Sequence, residues 1–253
     1  MQNSKKAIMK QLEMYKQHLE KSGYKVIYIG LYGSQNYNVD DEQSDVDARA
    51  IILPSLHDII FRKVTSKVYE FENGAVDVKD IITYYDVIKK GNFSFIEAID
   101  TEYSIGDEYV KEMFKKFRPN PKSILGAMHE KRKALTHMYP SKVEEFEKWG
   151  CDPKQYHHIA RLYDILHYNL VNNESVSYLK YEDEFEREIM IDKKRNTRNL
   201  SKEYMEHDSD WLIERAKGIV AVQEPYEILN IDNEINDYIE KELRKELVSN
   251  KEE

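Results

Sequence analysis

Two aspartates, Asp45 and Asp47, flank Val46 at the head of the apolar run Ala48–Leu53. Successive strand residues face opposite ways, so a strand over 45–53 would aim both carboxylates to one side and turn Val46 to the core. Two carboxylates side by side repel each other and lose hydration if buried. A hard divalent cation with oxygen ligands removes that conflict. An earlier apolar run, Lys25–Tyr32, ends at Gly33-Ser34, a backbone turn with a hydroxyl. Glycine lets backbone approach a phosphate closely, and a helix starting at Ser34 would aim its first amides at the anion. Further on, Asn73-Gly74 is a hairpin signal, and the returning strand carries Asp77 between Val76 and Val78. If that strand lies beside the one bearing Asp45 and Asp47, three carboxylates converge. Such a set holds two metal ions about 3.5–4 Å apart for in-line displacement at phosphorus. One ion activates an acceptor hydroxyl; the other holds a triphosphate. Asp80 faces the other way on the same strand and is expected to cap the next helix.

The elements that must position these residues follow from periodicity. Ala7, Ile8, Leu12, Tyr15 and Leu19 mark a helix over 3–22, closed at Gly23. Strands are predicted over 25–32, 45–53, 64–71 and 75–81, with short helices over 34–39 and 55–61. Helices are predicted over 82–90 and from Phe93 to Ile99, interrupted by Gly91-Asn92. Beyond Asp107 the pattern is almost wholly helical: 108–117, 122–138, 141–149, 153–171, 182–195, 208–220 and 230–248. The chain therefore reads as α+β: a mixed sheet flanked by helices over 1–120, packed on a helical domain over 121–253 that closes the cleft and contacts nucleotide and acceptor.

Composition narrows the function classes. Hydrophobic residues make up 41% and charged residues 34%, which fits a globular chain. No apolar run reaches membrane-span length, and residues 1–20 lack the apolar core of a signal peptide, so no membrane partner is expected. Cys151 stands alone, which fits a reducing cytoplasm and excludes an internal disulfide; no zinc or thiol chemistry is expected of it. The net charge of -9 argues against non-specific coating of nucleic acid. Lys131, Arg132 and Lys133 form the best local basic patch for an RNA strand. Neither a Walker A loop nor a G-x-G-x-x-G is present.

The run Leu31-Tyr32-Gly33-Ser34, ten residues, then Asp45-Val46-Asp47-Ala48, with Asp77 on a later strand, resembles the signature of the DNA polymerase beta-type nucleotidyltransferase superfamily. It is most similar to a branch of predicted nucleotidyltransferases described as RNA-ligase-associated, over roughly residues 25 to 215. That branch continues with Gly-Asn and a downstream Glu, here Gly91-Asn92 and Glu97, and a His-x-x-Arg-Leu helix, here His158-Ile159-Ala160-Arg161-Leu162. Phe93 stands where the branch often has Pro. The resemblance implies a nucleotidyltransferase fold and transfer of an NMP group from an NTP to an acceptor hydroxyl, with release of pyrophosphate. Asp45, Asp47 and Asp77 would be catalytic and would hold two Mg²⁺ or Mn²⁺ ions. Gly33, Ser34, His158 and Arg161 would hold the nucleotide's phosphates. The acceptor is open between an RNA 3′ end (tRNA included), a protein and a small molecule, with RNA favoured. Two other readings stand beside it. One is a non-catalytic nucleotide-sensing or partner-binding module of the same fold. The other is a helical ribonuclease using the Arg-x5-His pair Arg161 and His167, fused to a nucleotidyltransferase-like domain.

Overall fold

The computed structural model describes residues 5–249; residues 1–4, which include the start of the first predicted helix, and residues 250–253 lie outside them. The chain forms two compact units. Of the described residues, 5–33, 44–117 and 227–249 build a sheet unit, and 34–43 with 118–226 build a helical unit.

The sheet unit begins with α1 (Lys5–Lys21), whose Ile8, Leu12, Tyr15 and Leu19 form one buried stripe. Strands β1 (Lys25–Tyr32) and β2 (Asp47–Leu53) pair antiparallel. Ser55 and Asp58 cap α2 (Leu56–Ile60) reciprocally. Strands β3 (Ser66–Phe71) and β4 (Gly74–Asp80) form the expected hairpin, and β4 runs parallel to β2. Asp80 caps α3 (Ile81–Ile88) through Thr83 N–H, as its position predicts, and Asn92 caps α4 (Phe93–Asp100). A short β5 (Ser104–Gly106) joins the far edge, followed by α5 (Glu108–Phe114). The five-stranded sheet has the order β3-β4-β2-β1-β5. Its strands alternate between two cores. One face places Ile29, Leu31, Ala50, Ile52 and Val78 against α1. The other packs Tyr28, Ile51 and Leu53 against α3, α4 and α5.

The helical unit contains α6 (Pro121–Leu135), a 3-10 turn at Pro140–Lys142, α7 (Val143–Trp149), α8 (Pro153–Asn172), α9 (Glu184–Arg195) and α10 (Lys202–Val222). α8 packs on α6, α9 and α10. The last helix, α11 (Asp232–Ser249), groups with the sheet unit rather than with the helices after residue 120. Ile231, just ahead of it, and its Ile235, Tyr238 and Ile239 belong to the core around Tyr28 and Phe114. No helix of the described residues is long and apolar enough to cross a membrane.

Two expectations are corrected. Residues 34–39 form successive turns and no helix, so no helix dipole stands behind Ser34. β2 begins at Asp47, so Asp45 lies ahead of the strand and strand alternation does not set its direction.

Candidate functional site

The β1–β2 register sets Tyr32 opposite Asp47. Gly33 follows at φ +110, a conformation glycine adopts without strain. Its N–H, which the motif would offer to a phosphate, donates to Oε1 of Glu97 at 2.6 Å. Glu97 is only 1% exposed on α4, so a buried carboxylate occupies this corner.

The peptide of Val46 is clamped on both sides. Its N–H donates to Asn73 O at 2.9 Å, and its carbonyl accepts from the Tyr15 hydroxyl at 2.9 Å. Gly74 allows the approach, since a Cβ there would lie 2.2 Å from Val46 O. The clamp fixes the two aspartates on either side. Asp47 is half-buried and accepts from Ala75 N–H at 3.1 Å; Asp45 is exposed. Burial raises the pKa of the Tyr15 phenol, a hydrogen bond with Gln11 opposes it, and the charges of Asp47 and then Asp45 raise it further. Both carboxylates thus act on one spot of α1, the Tyr15 hydroxyl.

Asp77 lies on the same sheet face as Asp47, but between them stands a residue the motif does not mention. Arg49 is the register partner of Asp77. Its Nη1 donates to Asp77 Oδ2 at 2.5 Å, its Nε to Ser94 O at 3.1 Å and its Nη2 to Ser94 Oγ at 3.0 Å. The guanidinium lies 3.7 Å from the ring centroid of Phe95 and 4.3 Å from that of Tyr32. Lys79 Nζ approaches Asp77 Oδ1 at 3.3 Å. Asn92 holds the network from behind, accepting from both Ser94 N–H and Ser94 Oγ. Tyr32 is pushed up chiefly by burial, opposed by Arg49, with Asp47, Asp77 and Glu97 adding to the rise.

This arrangement limits what a metal could find here. Among the described residues, no three His, Cys, Asp or Glu side chains gather closely enough to hold an ion. Mg²⁺ commonly takes one or two carboxylates and completes its shell with substrate phosphates. An ion that arrived with a triphosphate would need no more than two carboxylates, such as Asp45 and Asp47, from the protein. A two-ion centre on three carboxylates does not fit while Arg49 and Lys79 hold Asp77.

The remaining residues of the expected site lie in the helical unit. Ser34 opens its 34–43 segment. That segment is tied down by Arg187 to Asn38 O at 2.8 Å, Lys194 to Val39 O at 3.2 Å and Arg195 to both oxygens of Asp41 at 2.7 Å. Arg161 and His158 share a face of α8, with the Arg161 guanidinium 3.9 Å over the Tyr37 ring. His167 is exposed and stacks on Tyr163, whereas Arg161 is buried, so the helix does not bring the Arg-x5-His pair together. The Cys151 thiol is buried and pushed up to about 11 by that burial.

The sequence matches no protein-family model, and no curated protein matches it either. A solved structure of a nucleotidyltransferase-like protein from Exiguobacterium sibiricum 255-15 is similar at 12% identity and a TM-score of 0.30, over 85% of this chain and 74% of that one.

Proposed function

We propose that the chain is a nucleotidyltransferase of the DNA polymerase beta type, moving an NMP group from an NTP to an acceptor hydroxyl and releasing pyrophosphate. The observation that carries this reading is the register. Tyr32↔Asp47 sets the Gly33 corner beside the first strand carboxylate, and Arg49↔Asp77 sets the third carboxylate on the same face. In this reading Asp45 and Asp47 hold a Mg²⁺ or Mn²⁺ ion brought in by the triphosphate. When bound, that ion neutralises charge on the phosphates and the leaving pyrophosphate. Asp77 is the acceptor-side carboxylate, and to take the hydroxyl's proton it must part from Arg49. The chain's other contribution is positioning and charge complementarity, which dominate phosphoryl-type transfer.

A second reading is a module of the same fold that binds a nucleotide without turnover. The grip of Arg49 on Asp77 and of Glu97 on the Gly33 amide favours it. One experiment separates the two. The protein is incubated with each labelled NTP, Mg²⁺ or Mn²⁺, and cell lysate or an RNA pool, and labelled products are identified by mass spectrometry. Transfer lost in Asp47→Ala supports the enzyme and names the acceptor as RNA, protein or small molecule. Nucleotide binding by calorimetry, with no label on anything, supports the module.

A further inference from the structure

We propose that the edge strand β3 is an interface at which two copies of this chain join their sheets, strand against strand, about a two-fold axis at Val68. The sheet order leaves β3 and β5 at the two edges. β5 is blunted by its length of three residues. β3 has six residues, no proline and an unbroken register with β4, so it keeps a full edge. Thr65 accepts from the Asp80 N–H at 3.2 Å, which turns its backbone groups toward β4. Backbone groups alternate in direction along an antiparallel strand. Lys67, Tyr69 and Phe71 therefore also face β4, while Ser66, Val68 and Glu70 face outward. Among the described residues, nothing bonds to those outward N–H and C=O groups. The side chains around this edge are apolar as well. Val68 is 63% exposed, and Ile60, Phe61 and Val64, on the segment that enters β3, are exposed too.

The sequence of β3 selects a second copy as its occupant. A two-fold axis normal to the sheet sets one residue of β3 opposite its own copy. An axis at Lys67 or at Glu70 puts like charges directly across from each other, which is destabilising. An axis at Tyr69 puts Val68 against the charged Glu70 of the second copy. An axis nearer either end, at Ser66 or Phe71, shortens the overlap. At Val68 the match is good: valine meets valine, Ser66 meets Glu70 of the second copy, and Lys67 meets its Tyr69. Lys79 Nζ already holds Ser66 Oγ at 2.6 Å, so the arriving Glu70 carboxylate finds a cation beside it. Ser66, Val68 and Glu70 then exchange their outward backbone groups across the axis. The two charges that bar the neighbouring registers thus select this one. Val68 stands opposite Asp77 in the β3–β4 register, so the joined sheets carry both Asp77 carboxylates on one continuous face. The interface requires no chemistry at Asp45, Asp47 or Asp77, so it goes beyond the transfer reading and stands or falls separately from it.

The test is analytical ultracentrifugation of the full chain over a range of concentrations, with amide exchange read along β3. The wild type should dimerise. Exchange at Ser66, Val68 and Glu70 should slow as concentration rises, while Lys67 and Tyr69 are slow throughout. Val68→Pro removes one central bond from each copy but none from the β3–β4 ladder. It should fold and dimerise about tenfold or more weakly. Should proline distort the strand, Val68→Lys carries the test, since it sets like charges across the axis and should weaken the dimer likewise. Cysteine substitution reads the register. Directly paired Cα atoms lie about 5.5 Å apart, within reach of a disulfide. Val68→Cys treated with oxidised glutathione should give a covalent dimer. Glu70→Cys, displaced along the strand from its own copy, should not, and the buried Cys151 of the unsubstituted chain sets the background. A wild type that stays monomeric, a dimer untouched by both Val68→Pro and Val68→Lys, or cross-linking at Glu70→Cys rather than Val68→Cys would overturn the proposal. So would protection of the β3 amides that appears only on adding lysate, which would assign the edge to an extended segment of another protein.

Discussion

Arg49 shows how a motif can be visible while the charge that controls it is not. Asp77 was legible as an acid between two β-branched residues on a strand. Its partner lies 28 residues away and is set by a parallel register that no local pattern reveals. The available signal was Arg49 itself, a cation inside the apolar run Ala48–Leu53 that needed a partner. Removing one member of such a pair is costly, because the other charge stays in place. Arg49→Met should cost about 2–4 kcal/mol, below the full effect of a sealed pair because Lys79 still faces Asp77. The double variant Arg49→Met, Asp77→Leu should recover much of that loss. Urea unfolding of the four proteins measures the coupling, and additive costs would sink the idea. His157 gives a second test at this scale. It is 2% exposed, with Nδ1 against Met190 O at 3.0 Å, and burial followed by Arg161 and Lys194 holds its pKa well below the usual value. A histidine kept neutral in the fold takes a proton more readily unfolded. Its effect is absent above about pH 6.5, and stability falls as pH drops below that. Melting temperatures between pH 8 and pH 5 should fall on the acid side, less steeply in His157→Gln. Equal slopes in the two proteins would remove His157 as the cause.

At the scale of elements, what sequence showed best was what local chemistry dictates. The stripe of α1, the β3–β4 hairpin and the caps at Ser55, Asp80 and Asn92 each depend on residues within a few positions. It failed where a long-range contact decides. Residues 34–39 read as a helix, yet their backbone is held in turns by Tyr181, Arg187 and Lys194, about 150 residues away, and these tertiary contacts override a weak local preference. The start of β2 was misplaced for the same reason, because α1 and the hairpin loop clamp Val46. β5, at three residues, is too short to show a period. Gly74 makes the clamp testable. In Gly74→Ala the new methyl would meet Val46 O at 2.2 Å, a backbone atom, at φ +136. The expected cost is about 2–4 kcal/mol, from steric conflict together with backbone strain. The bond from the Tyr15 hydroxyl to Val46 O is the one met directly, and the Val46 amide should also exchange faster with solvent as the residue moves away from Asn73 O beside the new methyl. A variant as stable as the wild type, with the same protection at Val46, would mean that the clamp does not hold the aspartates.

At the scale of the whole chain, the helix-rich second half was legible because its periods are long and regular, while its division was not. The chain passes between units after residues 33, 43, 117 and 226, so the connector joining the two motif strands belongs to the helical unit and α11 to the sheet unit. No low-complexity stretch marks these crossings, and what holds each segment to its unit is contact with residues far away in sequence. α11 shows the consequence. With Ile231 just ahead of it, it places Ile235, Tyr238 and Ile239 in the core that also contains Tyr28 of β1 and Phe114 of α5. Its Tyr238 hydroxyl donates to Asp107 at 3.0 Å, and its Glu242 meets Lys25 at 3.2 Å. Burial and the bond to Asp107 push the Tyr238 phenol up, as befits a packed and partnered group. Four such side chains at about 1.5–3 kcal/mol each are comparable to the entire stability of an ordinary domain. Ending the chain after Asn230 should therefore unfold the sheet unit or leave it prone to aggregation. Ile235→Ala in the full chain should cost about 2–4 kcal/mol. Amide exchange read separately on β1 and on α10 locates the damage: protection should collapse in β1 first. Loss in α10 with β1 intact would show that the last helix supports the other unit.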